Sequence, residues 1–367
     1  MKASARTAIS ISFAVLSTSA ITFQVASAQP PSRADTARAG NEQAPSCIPS
    51  IEGGLAGGIP PGPPLAPRDL TIAGIPGVVA GGEAWIKIWQ QGGNSADGIV
   101  PDRGGNVLVA QHDYDKVLKL DPSGTATVAF DKVRGVGALT IDRQGRLYAL
   151  NRTERAGSTK PDRATSFNAI TELSPVRRTL TDKWMDGTPL SVRPNDITPD
   201  SRGGVYFTVG CVYYADSKGV RVMAGDLRTN GIGLSPDEKT LFVTNGGVVV
   251  AFDVAGPGQL ANRRTFATLE AGGGGDGVAV DSQGRLYVTS QPGVQVFDRT
   301  GRYLGLIPTP RPAVSVAFAG SGKRTLFLVG NGTDDENGRP IHQGPGSSAA
   351  TVYKLPMIAQ GIGGRAK

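Results

Sequence analysis

Two residue types are nearly missing from this chain. Its 367 residues include two histidines, His112 and His342, and two cysteines, Cys47 and Cys211. A His-Asp or Ser-His-Asp engine needs a positioned histidine. Both histidines are expected at the surface: His112 in a loop among Gln111, Asp113 and Tyr114, His342 in a Gly- and Pro-rich insert. That argues against triad chemistry. The two cysteines can close one disulfide in an oxidising compartment or remain two thiols, and the sequence leaves both open. Aromatic residues are scarce at 6%. Trp85, Trp89 and Trp184 are expected to pack rather than form a ligand platform. The net charge of +7 is not concentrated. Arg177-Arg178, Arg263-Arg264 and Lys323-Arg324 are isolated pairs, with no basic block and no nucleic-acid motif. The charge therefore reads as solubility, and no nucleic-acid partner is expected. Beyond the N-terminus no stretch approaches membrane-spanning length, so no membrane span is expected.

The N-terminus has its own pattern. Lys2 and Arg6 precede an apolar run from Ala8 to Phe23, interrupted by serines and closed by Ala26-Ser27-Ala28. A positive start, a short apolar middle and an Ala-x-Ala end predict a secretory signal over 1–28, cleaved before Gln29. The competing reading is a membrane anchor, which a run this short and interrupted serves poorly. No cysteine follows the cleavage point to carry a lipid. The protein is therefore expected to be exported, periplasmic or secreted. Residues 29–70 predict a flexible linker, opening with Gln29-Pro30-Pro31-Ser32 and closing in the Gly57–Pro64 run of glycine and proline.

The glycines, 51 in all, fit many tight turns between short strands. From about Ile72 onward an apolar strand, an acidic turn with Gly and a second apolar strand recur. The copies run Gly98–Val109, Leu139–Tyr148, Ile197–Phe207, Ile232–Val243, Val278–Val288 and Val316–Phe327. Third strands follow at Val117–Leu120, Val248–Phe252, Val294–Phe297 and Thr351–Leu355. A strand-only period of about 40 residues predicts blades. One blade cannot cover its own faces, but a ring of them can. The fold class is therefore all-β, a six-bladed β-propeller over 71–360. The Val78–Trp89 stretch is expected to complete the last blade and close the ring.

The repeat also serves as a ruler. Five residues before each turn-opening position lie Asp97, Gly137, Asn195, Asn230, Asp276 and Val314. Four of the six are Asp or Asn. In a propeller these positions lead into the innermost strands, so the four side chains are expected to meet at one mouth of the central channel. Two carboxylates and two amide oxygens suit a divalent cation, Ca²⁺ first among them, with Zn²⁺ or Mn²⁺ as alternatives. The plainer reading is turn punctuation, because Asp-Gly and Asn-Gly are common turn dipeptides. Recurrence in one register favours the axial metal site.

These segments resemble the gluconolactonase family, which includes senescence marker protein and luciferin-regenerating enzyme. The likeness is carried by Arg193-Pro194-Asn195-Asp196-Ile197, by Thr229–Asp237, by Asn262–Phe266 and by Gly275–Asp281. It runs from about Ser95 to about Leu355 and is strongest between Asn195 and Pro308. In that family a divalent metal on the axis is held by a first-blade Glu, the Asn of an Asn-Gly stretch and the Asp of an Asp-Gly stretch. The resemblance therefore implies Asn230 and Asp276 as metal ligands, with Asn195 beside the metal and Asp97 in the place of the Glu. Asp97 is one methylene short. Val209 is a second departure, standing where many lactonases carry Asp over the site.

The function the resemblance implies is divalent-metal-dependent hydrolysis of a lactone or sugar-acid lactone. Water would attack the carbonyl, and Asp276 or Asp196 would accept its proton. Asp196 has an alternative reading as a buried turn carboxylate. The alternative function is a non-catalytic exported propeller that binds a ligand or partner. Propellers host both.

Overall fold

A computed structural model describes Cys47 and residues 68–92, 96–152, 167–335, 337, 340–341 and 349–364. The expected signal over 1–28 lies outside the described residues. So do His342 and all of the 29–70 linker except Cys47 and 68–70.

The chain forms six four-stranded antiparallel sheets, the six blades. The inner strands are Ile99–Pro101, Val136–Ile141, Ile197–Pro199, Thr229–Leu234, Val278–Val280 and Ala313–Ala319. In blades one to five the remaining three strands follow in sequence order outward. Blade six differs. Its inner strand pairs with Thr325–Asn331, which pairs with Ala349–Pro356, and the outer place is taken by Ile86–Gly92 from the far end of the chain. The ring is thus closed by backbone hydrogen bonds between its two ends, as expected of the stretch before Trp89. The rest of that stretch does something else. Val78 and Val79 pack into the core between blades five and six, and the Val78 carbonyl accepts from Ile358 N and Ala359 N at 3.0 Å each.

The core is divided among the six junctions between blades. Strand alternation explains how one blade serves two junctions. In blade one Val107 and Val109 face blade six beside Phe327 and Val329. Leu108 and Ala110 face blade two beside Leu147 and Ala149. The same sharing recurs at Tyr148 with Phe207, Tyr206 with Leu241, Phe242 with Val288, and Tyr287 with Leu328. Each large apolar side chain buried in this way contributes on the order of 1.5–3 kcal/mol.

The acidic turns work as local fasteners. The Oδ1 atoms of Asp102, Asp200 and Asp281 each accept two backbone N–H bonds of 2.8 to 2.9 Å from residues two and four positions on. That is why aspartate opens these turns. Among the described residues no helix is long and apolar enough to cross a membrane.

Candidate axial site

The six positions picked out by the repeat are structurally equivalent. Ile99 pairs with Val109, Leu139 with Ala149, Ile197 with Phe207, Ile232 with Val243, Val278 with Val288 and Val316 with Leu328. Asp97, Gly137, Asn195, Asn230, Asp276 and Val314 each lie two residues before these inner-strand partners. They therefore ring one mouth of the channel.

Side chains from four blades are joined there into one bonded chain. Arg152 Nη2 donates to Asp97 Oδ2 at 2.9 Å. Arg152 Nη1 donates to Asn195 Oδ1 at 3.1 Å. Asn195 Nδ2 donates to Asn230 Oδ1 at 2.6 Å. The expected set of Asp97, Asn195 and Asn230 is thus brought together, through a cation that sequence reasoning missed. Asp276 stands next to Asn230 in the ring, half-buried.

Arg152 follows Leu147–Asn151, the second strand of blade two, and is 6% exposed. Its N–H donates to Gly135 O at 2.9 Å. The preceding Asn151 is pinned by its Nδ2 donating to Arg134 O at 2.6 Å and by Thr171 Oγ1 donating to its Oδ1 at 2.5 Å. The inward course is open because blade two has Gly137 in the ring. A Cβ there would stand 2.3 Å from Arg152 Nε.

The glycines that follow Asp and Asn are not turn punctuation. A Cβ on Gly231 would lie 2.0 Å from Asp276 O, and one on Gly277 2.7 Å from Val314 O. At these two junctions the neighbouring inner strands approach so closely that only glycine fits. Threonines at one second-strand position fasten the same junctions. Thr208 Oγ1 donates to Asn230 O. Thr244 Oγ1 reaches Asp276 O at 3.4 Å and accepts from Gly231 N at 2.7 Å. Thr289 Oγ1 reaches Val314 O at 2.9 Å.

In blade three Asp196 takes the glycine's place. It is buried, its Oδ1 accepts from Ile197 N at 2.9 Å, and its Oδ2 accepts from Ile232 N at 3.2 Å across the junction. A carboxylate used this way clamps the backbone that carries Asn195 and Asn230.

His112 is not the surface residue expected from its sequence surroundings. It is 3% exposed, in a short 3₁₀ turn after the second strand of blade one. It lies three residues beyond Val109, as Arg152 lies three beyond Ala149, so the two hold equivalent places in adjacent blades. Burial lowers its pKa from the ordinary 6.5, and the charges of Arg152 and Arg193 lower it further. Asp113, with Oδ1 at 3.9 Å from Nδ1, opposes this. A polar ring after a strand carries no sequence sign of burial. Arg152 carried a faint one, since Gly137 is a gap in an acidic register.

Cys47 and Cys211 form a disulfide, with Cα atoms 5.0 Å apart. Cys211 O accepts from Thr229 Oγ1 at 3.3 Å, so the bridge abuts the start of blade four. Val209, two residues earlier, packs against the apolar core between blades two and three.

Residues 125–330 match the family described as the SMP-30/Gluconolactonase/LRE-like region, more than half of the chain. The chain belongs to this family. Among relatives of this gluconolactonase-like chain, the lactonase drp35 of Staphylococcus haemolyticus is 28% identical over 262 residues, 62% of this chain and 73% of the relative. A gluconolactonase structure from Xanthomonas campestris superposes with a TM-score of 0.60 at 24% identity, covering 83% of this chain and 99% of that one. Regucalcin from Agrobacterium tumefaciens, a calcium-binding protein, superposes at 0.57 with 15% identity, covering 76% and 95%. At these identities the two structures bear on the fold alone.

Whether the residues suit a divalent cation is tested by what they already hold. Among the described residues no three His, Cys, Asp or Glu side chains converge on a point. The donor set therefore relies on amides beside Asp97 and Asp276. Its chemistry is hard oxygen. Arg152 acts as a stand-in cation: a positive group resting on Asp97 Oδ2 and Asn195 Oδ1. Those oxygens fit a cation.

Proposed function

We propose that this chain is an exported lactone hydrolase working at the axial mouth with a divalent cation, calcium in the first instance. The observation that carries the reading is the bonded chain that runs from Asp97 through Arg152 and Asn195 to Asn230, in the ring that also holds Asp276. Family membership and a relative named as a lactonase support the substrate class.

Asp97, Asn195, Asn230 and Asp276 would hold the cation, which when bound supplies Lewis acidity for a lactone carbonyl. The remaining steps belong to the chain. Asp276 accepts a proton from the attacking water, whose oxygen bonds to the carbonyl carbon. The ring C–O bond then breaks, and the leaving alkoxide takes the proton held by Asp276, which gives the open hydroxy acid and restores the carboxylate. A carboxylate has two oxygens, so Asp276 can both ligate and take a proton. Asp196 is the weaker candidate for that base, because two backbone N–H groups already occupy its oxygens. Its part is to keep Asn195 and Asn230 in place.

Export is supported by the N-terminal pattern and by the Cys47–Cys211 disulfide, which suits an oxidising compartment. Mass spectrometry of the protein from an expressing cell should find Gln29 as the first residue; a retained Met1 would refute the signal.

The decisive experiment is hydrolysis of sugar lactones and alkyl lactones by the mature protein, after EDTA and after return of Ca²⁺, Mn²⁺ or Zn²⁺. Activity removed by EDTA and restored by one ion is the expected result. No turnover on any lactone with any ion, from folded protein, would leave the ligand-binding propeller as the better account.

A further inference from the structure

We propose that Arg152 is an internal counter-cation that competes with a divalent cation for Asp97 and Asn195, and so sets the metal affinity of the axial centre. The proposal rests on the metal reading above and adds a residue to it. An asparagine can offer a cation only its Oδ1, since its Nδ2 is a donor. Asn195 Oδ1 is the atom that Arg152 Nη1 engages, and Asp97 Oδ2 is engaged by Nη2. Two of the four expected ligands thus have an oxygen engaged by Arg152, and Asn230 Oδ1 in turn accepts from Asn195 Nδ2.

The placement is built rather than incidental. The Arg152 backbone is bonded to Gly135 O, and Asn151 before it is anchored at both ends of its amide. The guanidinium runs through the slot left by Gly137, the one blade among the first five without Asp or Asn in the ring. Two carboxylates alone give the centre a formal charge of −2; with the guanidinium it is −1. A divalent cation entering this centre must displace a bidentate, charge-assisted contact or coordinate with fewer donors. Arg152 thereby also holds Asp97 and Asn195 in position while no metal is bound.

The test is calorimetric titration of Ca²⁺ and Mn²⁺ into the mature wild type and into Arg152→Met, Arg152→Lys, Gly137→Ala and Asp276→Asn. Thermal melts establish that each variant is folded. Arg152→Met should bind more tightly than wild type by about tenfold or more, because a nearby like charge is gone. Arg152→Lys should fall between, since it keeps the charge and loses the fork. Gly137→Ala should shift affinity in the same direction as Arg152→Met, because its Cβ would push the guanidinium from the slot with no change of charge inventory. It carries the test if Arg152→Met does not fold. Unchanged or weaker binding in Arg152→Met and Gly137→Ala, with binding lost in Asp276→Asn, would overturn the proposal and leave the metal reading standing. Absence of binding in wild type and in every variant would overturn both.

Discussion

The two halves of the axial ring solve one packing problem in different ways. In blades three to five the ring residues are Asn195, Asn230 and Asp276, and threonine hydroxyls at Thr208, Thr244 and Thr289 tie each junction to the next. In blades one and two the corresponding second-strand positions are the aliphatic Ala110 and Leu150, both buried. There the ring is braced by a side chain instead, Arg152, lying over Gly137 and bonded to Asp97. One half is held by backbone-directed hydrogen bonds that leave donor side chains facing the mouth. The other is held by a charge that occupies the mouth. Equivalent positions in a repeat thus carry different loads, and perturbing each half separately can separate the loads.

The largest effect is expected in the donor half. Asp276→Ala should lower lactone turnover by about 10³-fold or more, as loss of a proton acceptor that also ligates requires, measured as kcat with saturating metal. Full activity in that variant would remove Asp276 from the centre. The next contrast uses the glycines. Gly231→Ala should destabilise the protein by about 2–3 kcal/mol, because its Cβ meets the rigid Asp276 carbonyl. Gly137→Ala should cost less than about 1 kcal/mol in the same denaturant titration, because its Cβ meets only a side chain that can move. Equal losses would erase the distinction between the halves. Thr244→Val should cost about 1–2 kcal/mol by leaving Gly231 N and Asp276 O without their hydroxyl partner. A cost near zero would mean the girdle is ornamental.

The smallest effect is a pH dependence in the cationic half. The folded pKa of His112 lies below its ordinary 6.5, mainly through burial. Such a group favours the folded state while neutral. Its contribution is present above pH 6.5 and is lost as pH falls below that value, because the unfolded chain takes up the proton first. Wild-type stability should decline below pH 6.5 more steeply than that of His112→Gln, read from melts across pH 5 to 8. Parallel curves would show that His112 is not the titrating group.

The blade repeat was legible because its cause is local. Apolar residues alternate with the strand period, and Asp opens most of the turns because its carboxylate bonds N–H groups two and four residues on. The axial register was legible for the same reason, since equal spacing from equal turns puts Asp97, Asn195, Asn230 and Asp276 at equal heights. The meaning of the adjacent glycines was not. Gly231 resembles a turn residue in the sequence, yet it is there because another blade's carbonyl lies where its Cβ would be. His112 was misjudged for a related reason, as its burial comes from other blades and not from its neighbours in sequence.

The sequence by itself determined the strands, their turns, the number of blades and the height at which four oxygen-bearing side chains meet the channel. Each depends on residues a few positions apart. Tertiary structure alone decided which of those oxygens face one another, that Arg152 lies among them, that Asp196 clamps two blades, and that Cys47 reaches Cys211 across 164 residues of chain. Those outcomes depend on closing the ring, which brings into contact groups that no periodicity along the chain relates.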